Sequence, residues 1–477
     1  MGFTTPFFLF VFFPFSLLLY YLTVVLEKIR FFSRLRLKDF ALLGVSLLFF
    51  GWGMLRDIWF LMIYFLVVYA AGLLIEKMPG KRAAAVLAVV TTLLLVILYQ
   101  YRYQHVAAEY LNRIAGRTVM KPNGLIPLLG ISFLTFSAIS YMADVRRGLC
   151  PRGDLLDVAL YLSFFPKIIS GPIVLWRDFQ PQLSNRNFST GCFVSGLNRL
   201  MIGFAKKVII ADTLGAACAE IGADGIDVLT AWGSAFLYML EIYYDFSGYS
   251  DIAIGLGRML GFDIKENFDF PYVSRSIAEF WRRWHISLGA WFREYVYIPL
   301  GGNRRGKKRA LLNLAVVFLL TGLWHGEGVC YILWGVLHGA CRLTEKSLEG
   351  TSLYRRVPEL IKYLLTMLVV MIGWQVFRFE STSSVIRLLQ SMLALAPRTW
   401  IKYSFSYYFN PEIITLMVIA SLGAVVPAIP IIRQLPRQLA ENRAWFAAQE
   451  IGLTVLMAAS VIYMINSSYT PFIYFGY

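Results

Sequence analysis

Long apolar stretches alternate with short charged ones along nearly the whole chain. A helix needs roughly 20 predominantly apolar residues to cross the hydrocarbon core. The stretches 6–26, 40–55, 58–75, 83–101, 124–142, 358–378, 412–432 and 445–466 come close to that length and read as spans. Between 155 and 345 the pattern changes. Apolar runs at 155–175, 192–211 and 228–246 are followed by shorter ones at 310–325 and 329–342, with Gly, Pro and charged residues between them. Irregular backbone at membrane depth persists only where protein buries it or water reaches it, so the functional site is expected in this central third. The pattern predicts an all-α polytopic membrane protein with about 11–13 transmembrane or re-entrant helices. It divides a single integral membrane domain, 1–477, into scaffold helices (1–123), a core expected to hold the site (124–345) and further scaffold helices (346–477).

Composition supports the same class. Of 477 residues 58% are hydrophobic and only 16% charged, more apolar surface than a soluble fold of this length could hide. Lys and Arg number 45 against 29 acids, a net charge of +16. The excess lies in short loops, as the positive-inside bias requires, so no nucleic-acid partner is expected. Segment 27–38 holds five basic residues and one acid, which places it in the cytoplasm. Alternation puts Lys77, Lys81 and Arg82, then Arg146, Arg147 and Arg152, the run 303–309, and Arg342, Lys346, Arg355 and Arg356 on that same side. Loop 102–121, with Arg102, Arg113, Arg117 and Lys121, runs against the count, which leaves both termini outside. Residues 1–26 carry no charge and no cleavage-site pattern, and read as a retained first span. The five cysteines form no ligand pattern, so they read as packing residues and no metal is expected.

The chain has four histidines. His325 ends the apolar run "VVFLLTGLWHG" (316–326), where an ionisable group is a functional hypothesis by default. From the basic loop, sixteen residues of helix from Ala310 reach about 24 Å, which sets His325 deep in the bilayer. Gly322 and Gly326 allow close backbone approach to a ligand or a neighbouring helix, and Trp324 would wall a narrow passage. Apolar surroundings disfavour imidazolium, so His325 is expected neutral and able to accept a proton, the state a general base requires. A histidine that merely hydrogen-bonds a neighbouring helix is the alternative. His285 lies in "EFWRRWHISLGAWFREYVYIPLGGNR" (279–304). There Trp281, Trp284, Leu288, Trp291 and Phe292 recur at helical steps, as on an interfacial helix, and Glu279 can pair with Arg283. His285, four residues past Trp281, faces the protein. His338 returns on the hairpin after Gly326 and reads as structural, as does His105 in an exposed polar loop.

Two further constellations stand out. In "YLSFFPKIISGPIVLWRDFQPQL" (161–183), Pro166, Gly171 and Pro172 break an apolar run into a re-entrant element. In 241–262, Glu241, Asp245 and Asp251 need cationic partners such as Arg258 or Arg282, and read as structural ion pairs rather than proton carriers. No GxSxG elbow or HExxH site occurs, so neither covalent serine chemistry nor metal chemistry is supported.

At these segments the chain resembles the membrane-bound O-acyltransferase family. Its likeness is greatest to the bacterial branch that O-acetylates alginate, peptidoglycan and related polymers, with the D-alanyl transfer protein of teichoic acids a near cousin. The strings are "PLLGISFLTFSAISYMADVRRG", "SFFPKIISGPIV", "YYDFSGYSDIAIGLGRMLGF", "FWRRWHISLGAWFREYVYIPLGGNR", "LTGLWHG" and "PFIYF" (471–475). The resemblance implies a helical core with a central tunnel in a multi-pass protein of the bacterial cytoplasmic membrane. Acyl donor would enter from the cytoplasm and acceptor from outside, with His325 the essential intramembrane histidine and His285 the second. Trp324, Trp284, Arg283, Pro172, Gly171 and Asp245 are the candidate substrate contacts. Acetyl-CoA is the expected donor, with no tightly bound cofactor. A separate extracytoplasmic SGNH-type transferase and a cell-surface polysaccharide are the expected partners, beside membrane lipid. An acyltransferase acting on lipid or protein, or a transporter relaying protons through the histidines, remain alternatives.

Overall fold

The computed structural model describes residues 2–52, 55–126, 128–186, 188–395, 403–439 and 442–466. The segment 471–475 and Pro127, both within motifs quoted above, lie outside the described residues. All regular structure among the described residues is helical. Among the described residues, six helices are long and apolar enough to cross a membrane: Phe8–Leu26, Asp57–Lys77, Gly80–Ala115, Glu359–Arg378, Pro411–Ala428 and Arg443–Asn466. Large apolar side chains point outward from them, Leu18 being 72% exposed, Val89 67% and Leu360 67%. So much contiguous exposed hydrocarbon belongs against lipid rather than water.

Two expected spans are not of spanning length. Over 40–55 the helix is Leu37–Gly51, 15 residues long. Over 124–142 it is Ile131–Arg146, 16 residues and buried along almost its whole length. The reason lies at Gly130, where φ is +66° and a Cβ would come within 2.3 Å of the Ile168 carbonyl oxygen. The chain makes a left-handed turn there, open to glycine, and cannot continue the helix backwards. Apolarity in this stretch therefore serves packing. The supposed loop 102–121 instead carries the helix Gln104–Ala115, with His105 exposed on it. Arg102 is buried and donates to Ser132 Oγ at 2.8 Å, so one of the four charges that opposed the orientation count is a packing group.

The chain forms two compact units. One holds the residues through Leu200 together with Ser250–Lys265. Phe3, Phe8, Phe12, Phe49 and Phe165 interlock within it, neighbouring ring centroids lying 5.0–6.2 Å apart. The prolines at 166 and 172 interrupt the helix as expected. Leu155–Ser163 stops, a single turn Phe165–Ile168 follows, and the chain runs extended to Trp176. Asp154 caps the first of these helices through a capping box with Asp157, and Arg36 binds both carboxylates.

The second unit holds Met201–Tyr249 and the described residues from Glu266 onward. At its centre, Lys307–His325 and Val329–Leu348 form an antiparallel helical hairpin. Gly322 and Gly335 let the two backbones touch: a Cβ on Gly322 would stand 2.5 Å from the Tyr331 carbonyl oxygen and 3.3 Å from Gly335 Cα. The Glu359–Arg378 helix packs on this hairpin. Its last residue, Arg378, donates to Ser234 Oγ at 2.7 Å and to the carbonyls of Cys218 at 2.6 Å and Ile221 at 2.9 Å.

Candidate active site

His325 is the last residue of its helix and is 3% exposed. The helix from the basic start at Lys307 to this end is nineteen residues long, a rise of about 27 Å, close to the hydrocarbon thickness of ~30 Å. Three aromatic edges enclose the imidazole: Trp324 at 4.9 Å, Trp334 at 4.9 Å and Phe377 at 5.3 Å between centroids. Gly326 then runs extended, and Tyr331 packs so close that a Cβ at Gly326 would lie 2.1 Å from its ring. The glycines flanking His325 thus serve helix packing.

His285 interrupts what periodicity suggested was one continuous helix. Ile277–Arg283 ends, Trp284 is extended, and His285 takes φ +46° before Ile286–Phe292 begins. A non-glycine residue in this region costs about 1–3 kcal/mol and persists only when its surroundings hold it. Asn267, fully buried, supplies that hold. Its carbonyl accepts from Ile286 N–H at 2.9 Å. Its Oδ1 lies 3.1 Å from His285 Nδ1, 3.2 Å from Ser287 N and 2.8 Å from Ser287 Oγ. His285 lies outside the six membrane-capable helices, and burial pushes its imidazole down to about 3, so it is neutral near pH 7. The edge of the Phe246 ring meets it at 4.7 Å, and the indole of Trp324 lies 6.1 Å away. Trp324 therefore stands beside both histidine rings.

A cavity of about 240 Å³ opens beside His285. Trp281, Leu288, Phe292, Leu314, Val317 and Phe318 make it largely apolar, with Arg293, Tyr297 and Thr321 among its polar lining. Arg293 is exposed to solvent, and Tyr297 donates to Asn303 of the basic loop at 2.7 Å. Along the helix from Leu314 to Thr321 the cavity extends about 10 Å. His325 follows Thr321 by one turn. An elongated ligand with a charged head at Arg293 would lie along an apolar wall, pass His285 and point toward His325.

The remaining predicted residues are placed as follows. Trp284 is 1% exposed, stacked on Phe280 at 5.6 Å and against Trp374 at 4.7 Å. Arg283 pairs with Glu279 at 2.9 Å, as its spacing predicted, and with Asp269 at 3.2 Å. It lines a different, polar cavity of about 630 Å³ with Arg275, Lys362 and Glu359. Asp245 is bound by Lys207 at 2.7 Å, and the same ammonium holds Asp212 at 2.5 Å. Asp251 is bound by Arg199 at 2.7 Å. Arg199 and Lys207, neither of which the motif spacing pointed to, thus each serve one of these two carboxylates. Lys207 comes from a segment, Lys206–Ala211, wound as a π-helix, whose register no helical spacing rule would supply. Gly171 and Pro172 belong to the first unit, where a Cβ at Gly171 would meet the Pro166 carbonyl oxygen at 2.6 Å. His338 is fully buried between Trp281 and Trp334, each ring at 5.2 Å. Neither of its nitrogens has a hydrogen-bond partner among the described residues. Asn267 was missed from sequence; only its position in the loop upstream of a histidine could have drawn attention to it. No cluster of metal-ligating side chains occurs among the described residues.

The profile of the membrane-bound O-acyltransferase family matches residues 149–358. The protein named probable alginate O-acetylase AlgI of Pseudomonas aeruginosa is 35% identical over 536 residues, covering 100% of both chains. The peptidoglycan O-acetyltransferase of Helicobacter pylori is 31% identical over 82% of this chain and 80% of its own. The teichoic acid D-alanyltransferase of Streptococcus thermophilus is 28% identical over 56% and 72% respectively. The chain belongs to the membrane-bound O-acyltransferase family. It is an integral membrane O-acyltransferase.

Proposed function

We propose that the protein moves an acetyl group from cytoplasmic acetyl-CoA to hydroxyls of an extracytoplasmic polysaccharide, in the bacterial cytoplasmic membrane, through a partner transferase. The relatives named for alginate and peptidoglycan acetylation support polysaccharide as the final acceptor. The observation that carries the reading is a cavity lined both by exposed Arg293, near the basic loop, and by Thr321, one helical turn before buried His325. Phosphates of the donor are drawn to Arg293 and to Arg304, Arg305, Lys307, Lys308 and Arg309. The apolar wall accepts the thioester arm, and the thioester carbonyl comes to the His325 end.

There the hydroxyl of the acceptor, carried by the sugar or by the partner, gives its proton to neutral His325 as its oxygen attacks the carbonyl carbon. The tetrahedral adduct collapses, the carbon–sulfur bond breaks, and the leaving thiolate takes the proton back from the imidazolium. His285 assists from the cavity wall. Trp324, Trp334 and Phe377 keep bulk water from the adduct, so that transfer outruns hydrolysis.

The test uses membrane vesicles from cells that make the acceptor polymer, supplied with labelled acetyl-CoA. His325→Ala should lower base-labile label on the polymer by at least about 100-fold, the usual scale of general-base loss, at unchanged protein level. Undiminished labelling would remove His325 from the reaction.

A further inference from the structure

We infer that Asn267 is the positioning residue that commits His285 to one tautomer, with a proton on Nδ1 and a bare Nε2. The inference rests on acyl transfer only where activity is the readout. Its core follows from hydrogen-bond direction. The backbone N–H of Ser287 can only donate, and it points at the Asn267 side chain from 3.2 Å. The atom it meets must therefore be the amide oxygen, whichever way the amide is drawn. That same oxygen stands 3.1 Å from His285 Nδ1. A bare Nδ1 there would set lone pair against lone pair, so Nδ1 carries the hydrogen and donates it. The Ser287 hydroxyl, 2.8 Å away, adds a further donor to the same oxygen.

The consequence falls on the other nitrogen. Nε2 is then an acceptor; it is buried and has no partner among the described residues, while the ring to which it belongs lines the cavity. A buried acceptor without a partner is costly unless something in the cavity satisfies it. The imidazole is therefore held so that Nε2 is the nitrogen able to take a hydrogen bond or a proton. The positive φ of His285 and the bond from Ile286 N–H to the Asn267 carbonyl serve the same end, since together they fix where the ring can point. Asn267 lies 18 residues upstream of the ring it orients. It touches neither donor nor acceptor and acts through His285 alone.

The tautomer can be read directly. Protein labelled with nitrogen-15 in histidine and held in lipid bilayers gives four sets of ring nitrogens, and His285→Gln identifies the set from His285. In the wild type that set should show a protonated Nδ1 and a bare Nε2. Asn267→Asp, which keeps an acceptor oxygen for both donors, should preserve this pattern and most of the transfer activity. Asn267→Leu should mix the tautomers and lower kcat by about 10- to 100-fold, as losing an orienting partner of a functional histidine does. A wild-type His285 protonated at Nε2 would overturn the inference, whether or not the leucine variant folds. So would an unchanged His285 pattern in a folded Asn267→Leu protein. Neither result bears on whether His325 transfers acyl groups.

Discussion

His325 was legible as a functional candidate because one physical fact, an imidazole in hydrocarbon, needs no tertiary knowledge to be costly. Its enclosure was not legible, since Trp334 and Phe377 reach it from helices that begin later in the chain. His285 was read as lying on a continuous helix because the spacing of Trp281, Trp284 and Leu288 fits one. Helical spacing carries no mark of the positive φ that splits that segment. Partners from distant segments were equally hidden: Lys207, from another helix, pairs with Asp245. That ion pair makes a prediction at this scale. Lys207 is 3% exposed and bridges two carboxylates, so Lys207→Met leaves two buried charges without their cation. A loss of about 3–5 kcal/mol is expected, seen as a large drop in the thermal unfolding midpoint in detergent. Asp245→Asn, which leaves Lys207 its contact with Asp212, should lower the midpoint less. Equal midpoints for both variants and the wild type would show that the cluster is not held by charge.

Among elements, the hairpin of Lys307–His325 and Val329–Leu348 sets the depth and angle at which His325 is presented. The glycines in this hairpin were noted in the sequence as permitting close approach to a ligand or a helix. The structure shows that Gly322 is used for the helix, against the Tyr331 carbonyl. Gly322→Val should therefore push the helices apart, costing about 1–3 kcal/mol as overpacking does. Transfer should fall with stability, because the shift moves His325 relative to Phe377. A Gly322→Val protein of unchanged stability and activity would contradict this packing. Long spans such as 58–75 and 358–378 were legible because lipid demands unbroken apolarity over a fixed length. Ile131–Arg146 was misread because a helix buried in protein is equally apolar, and only its length of 16 residues and the turn at Gly130 tell them apart.

For the molecule as a whole, a net charge of +16 in an apolar chain speaks of orientation and of anion capture. The basic run 304–309 is exposed except for Arg309 and sits beside the segment that lines the cavity, through the bond from Tyr297 to Asn303. Replacing Arg304, Arg305, Lys307 and Lys308 together by Gln should raise the KM for acetyl-CoA roughly 10-fold at low salt and leave kcat unchanged, since steering acts on encounter. The difference should shrink at high salt, where the Debye length falls to about 3 Å. An unchanged KM at low salt would place the donor's phosphates elsewhere. The central claim is that acyl groups enter from the cytoplasm and leave on the outside past His325. Sealed right-side-out vesicles from polymer-producing cells, loaded with labelled acetyl-CoA, test it most directly. Label should appear as base-labile acetate on polymer outside the intact vesicles with wild-type protein, and not with His325→Gln. Label that appears only when donor is supplied outside, or that survives the substitution, would contradict it.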